Sequence, residues 1–217
     1  MSIALSIGNN LTTNGVFTSS AVNNTSVSNV TDFASVPGGA ALKLLSTQTA
    51  SASASLEFTT NIDSTYDSYL FKFIDIHSSA SGHLTFQVST NGGSSYGVTC
   101  TSIALYAYND EATGASNAFS YNTSEDLAQS TSFQRLAKDT GGTDADANSA
   151  GSLILYNPSS TTFVKHFMSN TNSLNGGYSQ QEIYAGYFNT SSAVNAVKFQ
   201  MGSGNIDDGI IKMYGVV

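Results

Sequence analysis

The chain has one cysteine, two prolines, three histidines and no tryptophan in 217 residues, and only 10% of it is charged. Each shortage removes a class of protein. The single Cys100 closes no intrachain disulfide, so the fold needs no oxidising compartment. Its setting, Thr99-Cys100-Thr101-Ser102-Ile103, reads as a small buried strand residue before it reads as a reactive thiol. No run approaches the roughly 20 apolar residues that a helix needs to span a bilayer. Seven Lys and Arg against fifteen Asp and Glu leave a formal net charge of −8. The cations (Lys43, Lys72, Arg135, Lys138, Lys165, Lys198, Lys212) stand singly, whereas a duplex needs them clustered against its phosphates. Neither nucleic acid nor an anionic membrane surface is an expected partner. Met1–Gly8 lacks a basic leader region, so synthesis and folding in a cytoplasm are expected.

What fills the chain is 35 Ser, 23 Thr and 19 Asn around short alternating apolar runs. With charge far below the roughly 25% of ordinary soluble domains, solubility rests on hydroxyls and amides, which suits a surface partly buried in an assembly. Twelve Phe and eleven Tyr supply the large side chains of a core.

Residues 1–41 differ from the rest. No charge precedes Asp32, and the stretch closes on Val36-Pro37-Gly38-Gly39, strong punctuation. Such a segment buries too little to offset its ordering entropy alone. It is expected to be an extended N-terminal arm, docking on a neighbouring subunit or the sandwich edge, or else two ordinary edge strands.

From Leu42 to Val217 strand signals recur, which predicts an all-β, antiparallel, jelly-roll-like β-sandwich. Expected strands include Leu42–Leu45, Ser55–Thr59 and Tyr69–Ile76, the last apolar on both parities as for a strand covered on both faces. His83–Ser89 alternates with Leu84, Phe86 and Val88 inward, and Asn91-Gly92-Gly93 predicts a hairpin turn returning through Tyr96–Tyr108. Asn109–Asn117 reads as a loop, Ala118–Tyr121 as a short strand and Ser124–Ala128 as one helical turn. Ser132–Leu136 returns to strand and Lys138–Ala150 is a surface loop. Ser152–Tyr156, Thr161–Met168, Gln181–Phe188, Val194–Met201 and Gly209–Val216 complete the strands, with a turn at Asn205–Gly209. In Val197–Met201 the polar residues alternate outward.

Few residues carry chemistry. Asp139-Thr140-Gly141 is an aspartic-protease triplet, but it stands in a polar loop without the second copy that the chemistry needs. Asp144, Asp146 and Asn148 match the first half of a calcium loop, yet Ser149 and Leu155 replace the Gly and Glu of an EF-hand. They stand as weak calcium candidates against a solvated acidic loop; no other cofactor is expected. His77 and His83 flank a short loop and read as hairpin-end residues, because nothing nearby completes a zinc set. No Gly-x-Ser-x-Gly elbow accompanies His166, and no enzyme is expected. Tyr106, Tyr108, Tyr184 and Tyr187 either stack on sugars or belong to a core or interface.

Three stretches carry a family likeness: Asn61-Ile62-Asp63-Ser64-Thr65-Tyr66-Asp67-Ser68-Tyr69, Phe86 to Tyr96, and Ile206 to Gly215. Over roughly Leu42 to Val217 the chain resembles short β-rich virion proteins of tailed marine bacteriophages, described as capsid-surface or tail-fibre-like. The likeness is structural and transfers no catalytic residue. It implies a virion-surface location and contact with major capsid or tail proteins. Together with the composition it leads to the expectation of a homotrimeric capsid-decoration protein attached through its arm. The alternative is a tail-fibre or receptor-binding module for a host glycan, with loops Asn109–Asn117 and Asp139–Ala150 as its binding surface.

Overall fold

The computed structural model describes residues 41–112, 116–138 and 144–217, which fall within the unit Ala41–Val217. The arm expected over residues 1–41 and the Asp139-Thr140-Gly141 triplet lie outside the described residues, Ala41 excepted. Among the described residues twelve strands run in chain order: β1 (Leu42–Thr49), β2 (Leu56–Phe58), β3 (Ser68–Ser78), β4 (Leu84–Ser89), β5 (Cys100–Asp110) and β6 (Asn117–Tyr121). They continue as β7 (Gln134–Ala137), β8 (Ser149–Tyr156), β9 (Lys165–Asn175), β10 (Tyr178–Phe188), β11 (Ala196–Met201) and β12 (Ile206–Val216). An eight-stranded sheet, in the order β1-β12-β3-β8-β9-β10-β5-β6, packs on a four-stranded sheet, β2-β11-β4-β7, and every pairing is antiparallel. The fold is the expected all-β sandwich. Jelly-roll winding is a finer description that eight strands against four do not establish.

The core is an interleaved set of phenylalanines. Phe199 of the small sheet meets Phe71 and Phe73 of the large one at centroid distances of 5.3 and 5.4 Å, and Phe86 meets Phe167 and Phe188 at 5.0 and 5.5 Å. Most of these contacts are edge-on or tilted, the geometry that adds roughly 0.5–1.5 kcal/mol per pair beyond area burial. Short edge strands, three residues in β2 and four in β7, leave the small sheet little backbone with which to recruit another chain.

Several expectations need correction. The strands before and after Asn91-Gly92-Gly93 do not pair: β4 lies between β11 and β7 in the small sheet, while β5 lies between β10 and β6 in the large one. The turn itself forms, with positive φ at Gly92 and Gly93 and the Ser89 hydroxyl accepting from the amides of Asn91 and Gly93. The chain leaving it crosses between sheets because β4 is covered on both faces, all six of its residues being buried. Gln87, on the second face, donates to the carbonyls of Val98, Thr131 and Ser132, which pins two crossing segments over the strand.

Strand β3 is not covered on both faces. Tyr69, Phe71 and Phe73 are buried while Leu70 and Ile74 are half-exposed and Lys72 is exposed. A bulge then changes the parity: Asp75 takes φ of 51°, the register slips, and Ile76 turns into the core. Period-two reasoning cannot see an inserted residue, so the run looked apolar on both sides. Ser124–Ala128 forms no helix; Asn122 Oδ1 accepts from the amide and hydroxyl of Ser124 and closes a turn there. The turn expected at Asn205–Gly209 lies earlier, around Gly202–Gly204, and Ile206 is already a buried strand residue. Strand β9 begins at Lys165 and runs on to Asn175, beyond the expected Met168. There Asn175-Gly176-Gly177-Tyr178, with positive φ at both glycines, makes the tight β9–β10 hairpin, a turn of the same Asn-Gly-Gly composition as Asn91-Gly92-Gly93. The outward alternation expected in Val197–Met201 is present, with Lys198 and Gln200 half-exposed between buried Val197, Phe199 and Met201.

Candidate functional site

Two surfaces of the eight-stranded sheet are unusual, one on each face. On the inner face, Tyr106 and Tyr108 continue the inward parity of Cys100, Ser102 and Ala104, but they reach the β5–β6–β10 end of the sheet. Register places Tyr106 opposite Glu182, and Tyr108 opposite Gln180. The rings of Tyr106 and Tyr108 stand nearly parallel, 6.1 Å apart, and Tyr178 meets Tyr108 edge-on at 5.4 Å. With Asn122, Gln180 and Lys138 these rings wall a cleft of about 370 Å³.

Beneath the cleft lies a buried polar network. Gln180 and Tyr184 donate to Glu182 Oε1 at 3.1 and 3.3 Å, and the Arg135 guanidinium stands 3.7 Å from the same oxygen. Arg135 also pairs with Glu125. Burial pushes the Glu182 carboxyl above its ordinary pKa, opposed by the charge of Arg135, the backbone N–H of Lys138 and the Tyr184 hydroxyl. Glu182 and Tyr184 are each 1% exposed, so their acid and hydroxyl serve the floor of the cleft rather than its opening.

On the outer face, pairing registers trace one row of residues across seven strands: Leu44, Tyr214, Leu70, Ile154, Met168, Ala185 and Ile103. The row is wholly apolar apart from one hydroxyl and spans about 30 Å at the usual strand spacing. Leu44, Met168 and Ile103 in it are 52, 57 and 44% exposed. Beside it, Lys72 and Lys212 stand directly opposite each other across β3 and β12. Like charges so placed repel, and neither makes an ion pair among the described residues.

The residues named from sequence are scattered. Asp144 and Asp146 come together, and their hydrogen bond and mutual repulsion hold the Asp144 carboxyl above its ordinary range. His77 reaches the Asp144 carbonyl at 3.2 Å and Asp207 at 3.6 Å, while Asn148 enters through its carbonyl, which accepts from Leu174. No group of three or more His, Cys, Asp or Glu suited to a metal occurs among the described residues. His77 and His83 do not flank a hairpin, because β3 and β4 belong to different sheets. Cys100 is fully buried and its thiol is pushed up to about 12 by desolvation. Of the four tyrosines named, Tyr106 and Tyr108 form the cleft, Tyr184 lies in the core, and Tyr187 packs beside His166 on the outer face. Tyr178 and Gln180 were missed, since only the pairing of β10 with β5 brings them to Tyr108, and Lys138 was missed because it reaches the cleft from the end of β7, in the other sheet. The Asn-Gly-Gly turn before Tyr178 was the available signal for that strand.

No protein-family model matches the chain, and comparison with curated proteins and with solved structures finds no similar one.

Proposed function

We propose that the chain is a non-enzymatic structural protein of a bacteriophage virion exterior, decorating the capsid through the outer face of its larger sheet. The observation that carries this reading is the apolar row, exposed at Leu44, Met168 and Ile103, with its Lys72–Lys212 border. A sandwich ordinarily leaves a polar outer face, and contiguous exposed apolar surface marks a contact site. The partner is a shell protein rather than a second copy: the rows around Lys72 and Lys212 contain no carboxylate, so two such faces together would bury four cations without counter-charge. The scarcity of charge elsewhere suits the same role.

The test is binding of the purified protein to particles stripped of it, followed by its localisation in a reconstruction of the particle. Met168→Lys and Ile103→Lys alter side chains that are about half exposed, so they are expected to abolish binding with little loss of thermal stability. Undiminished binding by both, or absence of the chain from purified particles, refutes the reading. Light scattering reads the expected trimer in the same preparation, and removal of residues 1–41 tests the arm. A second reading, a receptor-binding module for a host glycan, is favoured by the tyrosine-walled cleft.

A further inference from the structure

Resting on that second reading, we propose that the cleft at the β5–β6–β10 end of the inner sheet face binds an acidic saccharide. Tyr106, Tyr108 and Tyr178 form its wall, Asn122 meets sugar hydroxyls, and Lys138 pairs with a carboxylate or sulfate.

The chemistry of the lining selects this ligand. Among the described residues its apolar surface comes mainly from tyrosine rings, and every other lining side chain carries a hydroxyl, an amide or an ammonium. A lipid or aliphatic ligand would strip water from those polar groups and return no hydrogen bonds. A pyranose offers both halves, a C–H face for a ring and hydroxyl edges for amides. At about 370 Å³ the cleft stands near the lower end of small-ligand sites, which start at roughly 300 Å³, and accommodates about one or two sugar units.

The wall is built before any ligand arrives. Tyr108 is held between Tyr106, nearly parallel at 6.1 Å, and Tyr178, edge-on at 5.4 Å. A further ring inserted between Tyr106 and Tyr108 would need about 7 Å, two van der Waals separations, so the pair acts as one surface. Little ordering cost then falls on binding.

The sign of the ligand follows from Lys138. A tyrosine cage otherwise suits a quaternary ammonium, but a lining ammonium repels one. The charge of Lys138 acts on the buried Glu182 only from beyond ion-pair distance, and Lys138 makes no ion pair among the described residues, so an incoming acid group can take the contact position beside it. A polyphosphate chain fits poorly against a protein of net charge −8 with one cation in the cleft.

The experiment titrates the full-length protein with tetraglucuronate and with cellotetraose, its neutral counterpart, by calorimetry and by chemical shifts of tyrosine ring protons. Tetraglucuronate is expected to bind about tenfold more tightly at low salt, and Lys138→Gln to erase that preference while Lys138→Arg keeps it. Tyr106→Ala is expected to weaken both sugars about tenfold; Tyr178→Leu, which keeps the volume, gives the same answer if the first variant fails to fold. A preference that survives Lys138→Gln, or affinity indifferent to the tyrosines, overturns the proposal. Binding of other glycans without movement of the cleft tyrosines sinks this site and leaves the receptor reading standing. Silence across a glycan array removes both.

Discussion

Gln87 offers the sharpest test of why β4 and β5 part company. Its side chain is fully buried, its Nε2 faces the carbonyls of Val98, Thr131 and Ser132 at 3.1, 3.2 and 3.0 Å, and its Oε1 accepts from the Val88 amide at 2.8 Å. Two amide hydrogens serve three carbonyls, so about two full bonds are made, each with a net worth of roughly 1 kcal/mol. Gln87→Leu keeps most of the volume but leaves those oxygens against a hydrocarbon, at about 1–3 kcal/mol for each one stranded. The expected loss is about 3–5 kcal/mol, which at a urea slope of about 2 kcal/mol/M moves the midpoint down by roughly 2 M. Thr85→Val, which removes only the hydroxyl bond to the Gln200 carbonyl at 2.9 Å, is the control and is expected to cost about 1 kcal/mol. Faster hydrogen exchange should appear at the amides of Cys100 and Ser130, whose mutual bonds lie beside the two pinned segments. A midpoint shift for Gln87→Leu no larger than that of Thr85→Val would refute the reasoning.

Three further outcomes follow from the same geometry. Because the folded Glu182 pKa is raised above the ordinary 4.5, the native state binds the proton more tightly. Stability is therefore lost as pH rises above the ordinary carboxyl value through the raised folded one, and Glu182→Gln should gain relative to the parent as pH rises above 4.5 in urea titrations. A difference independent of pH would count against a buried, desolvated carboxyl. Gly151→Ala and Gly186→Ala should each cost about 1–3 kcal/mol by calorimetry, since the added Cβ would stand 2.4 Å from the backbone oxygens of Asn170 and Thr101. Unchanged melting would show that the sheet yields there. Cys100, buried and with its thiol pushed up to about 12, should react with a disulfide reagent at neutral pH only at the rate of unfolding; stoichiometric labelling of the folded protein would contradict its place in the core.

Alternation of apolar residues, turn residues and scarcity of charge were enough to establish strands, their inward faces and the two-layer class, because a two-residue period and a glycine's positive φ are local properties. Leu84, Phe86 and Val88 faced inward as read, and so did the apolar positions of β11. Which strand a strand pairs with is not local. The Asn91-Gly92-Gly93 turn is the same in a hairpin and in a crossing, and only β11 and β7 on either side of β4, with Gln87 fastening the crossing segments, decided between them. The bulge at Asp75 hid in the same way, since one inserted residue reverses every side chain after it. For the candidate sites the division is similar. Tyr106 and Tyr108 were legible as a pair two residues apart on one strand, whereas the cleft required Tyr178, Gln180 and Lys138 from distant segments, and the outer row needed six registers to align. Side-chain direction is written in the chain's own covalent geometry; the company each side chain keeps is settled by long-range pairing, where the free energy of burying two sheets together outweighs the local preference of any one turn.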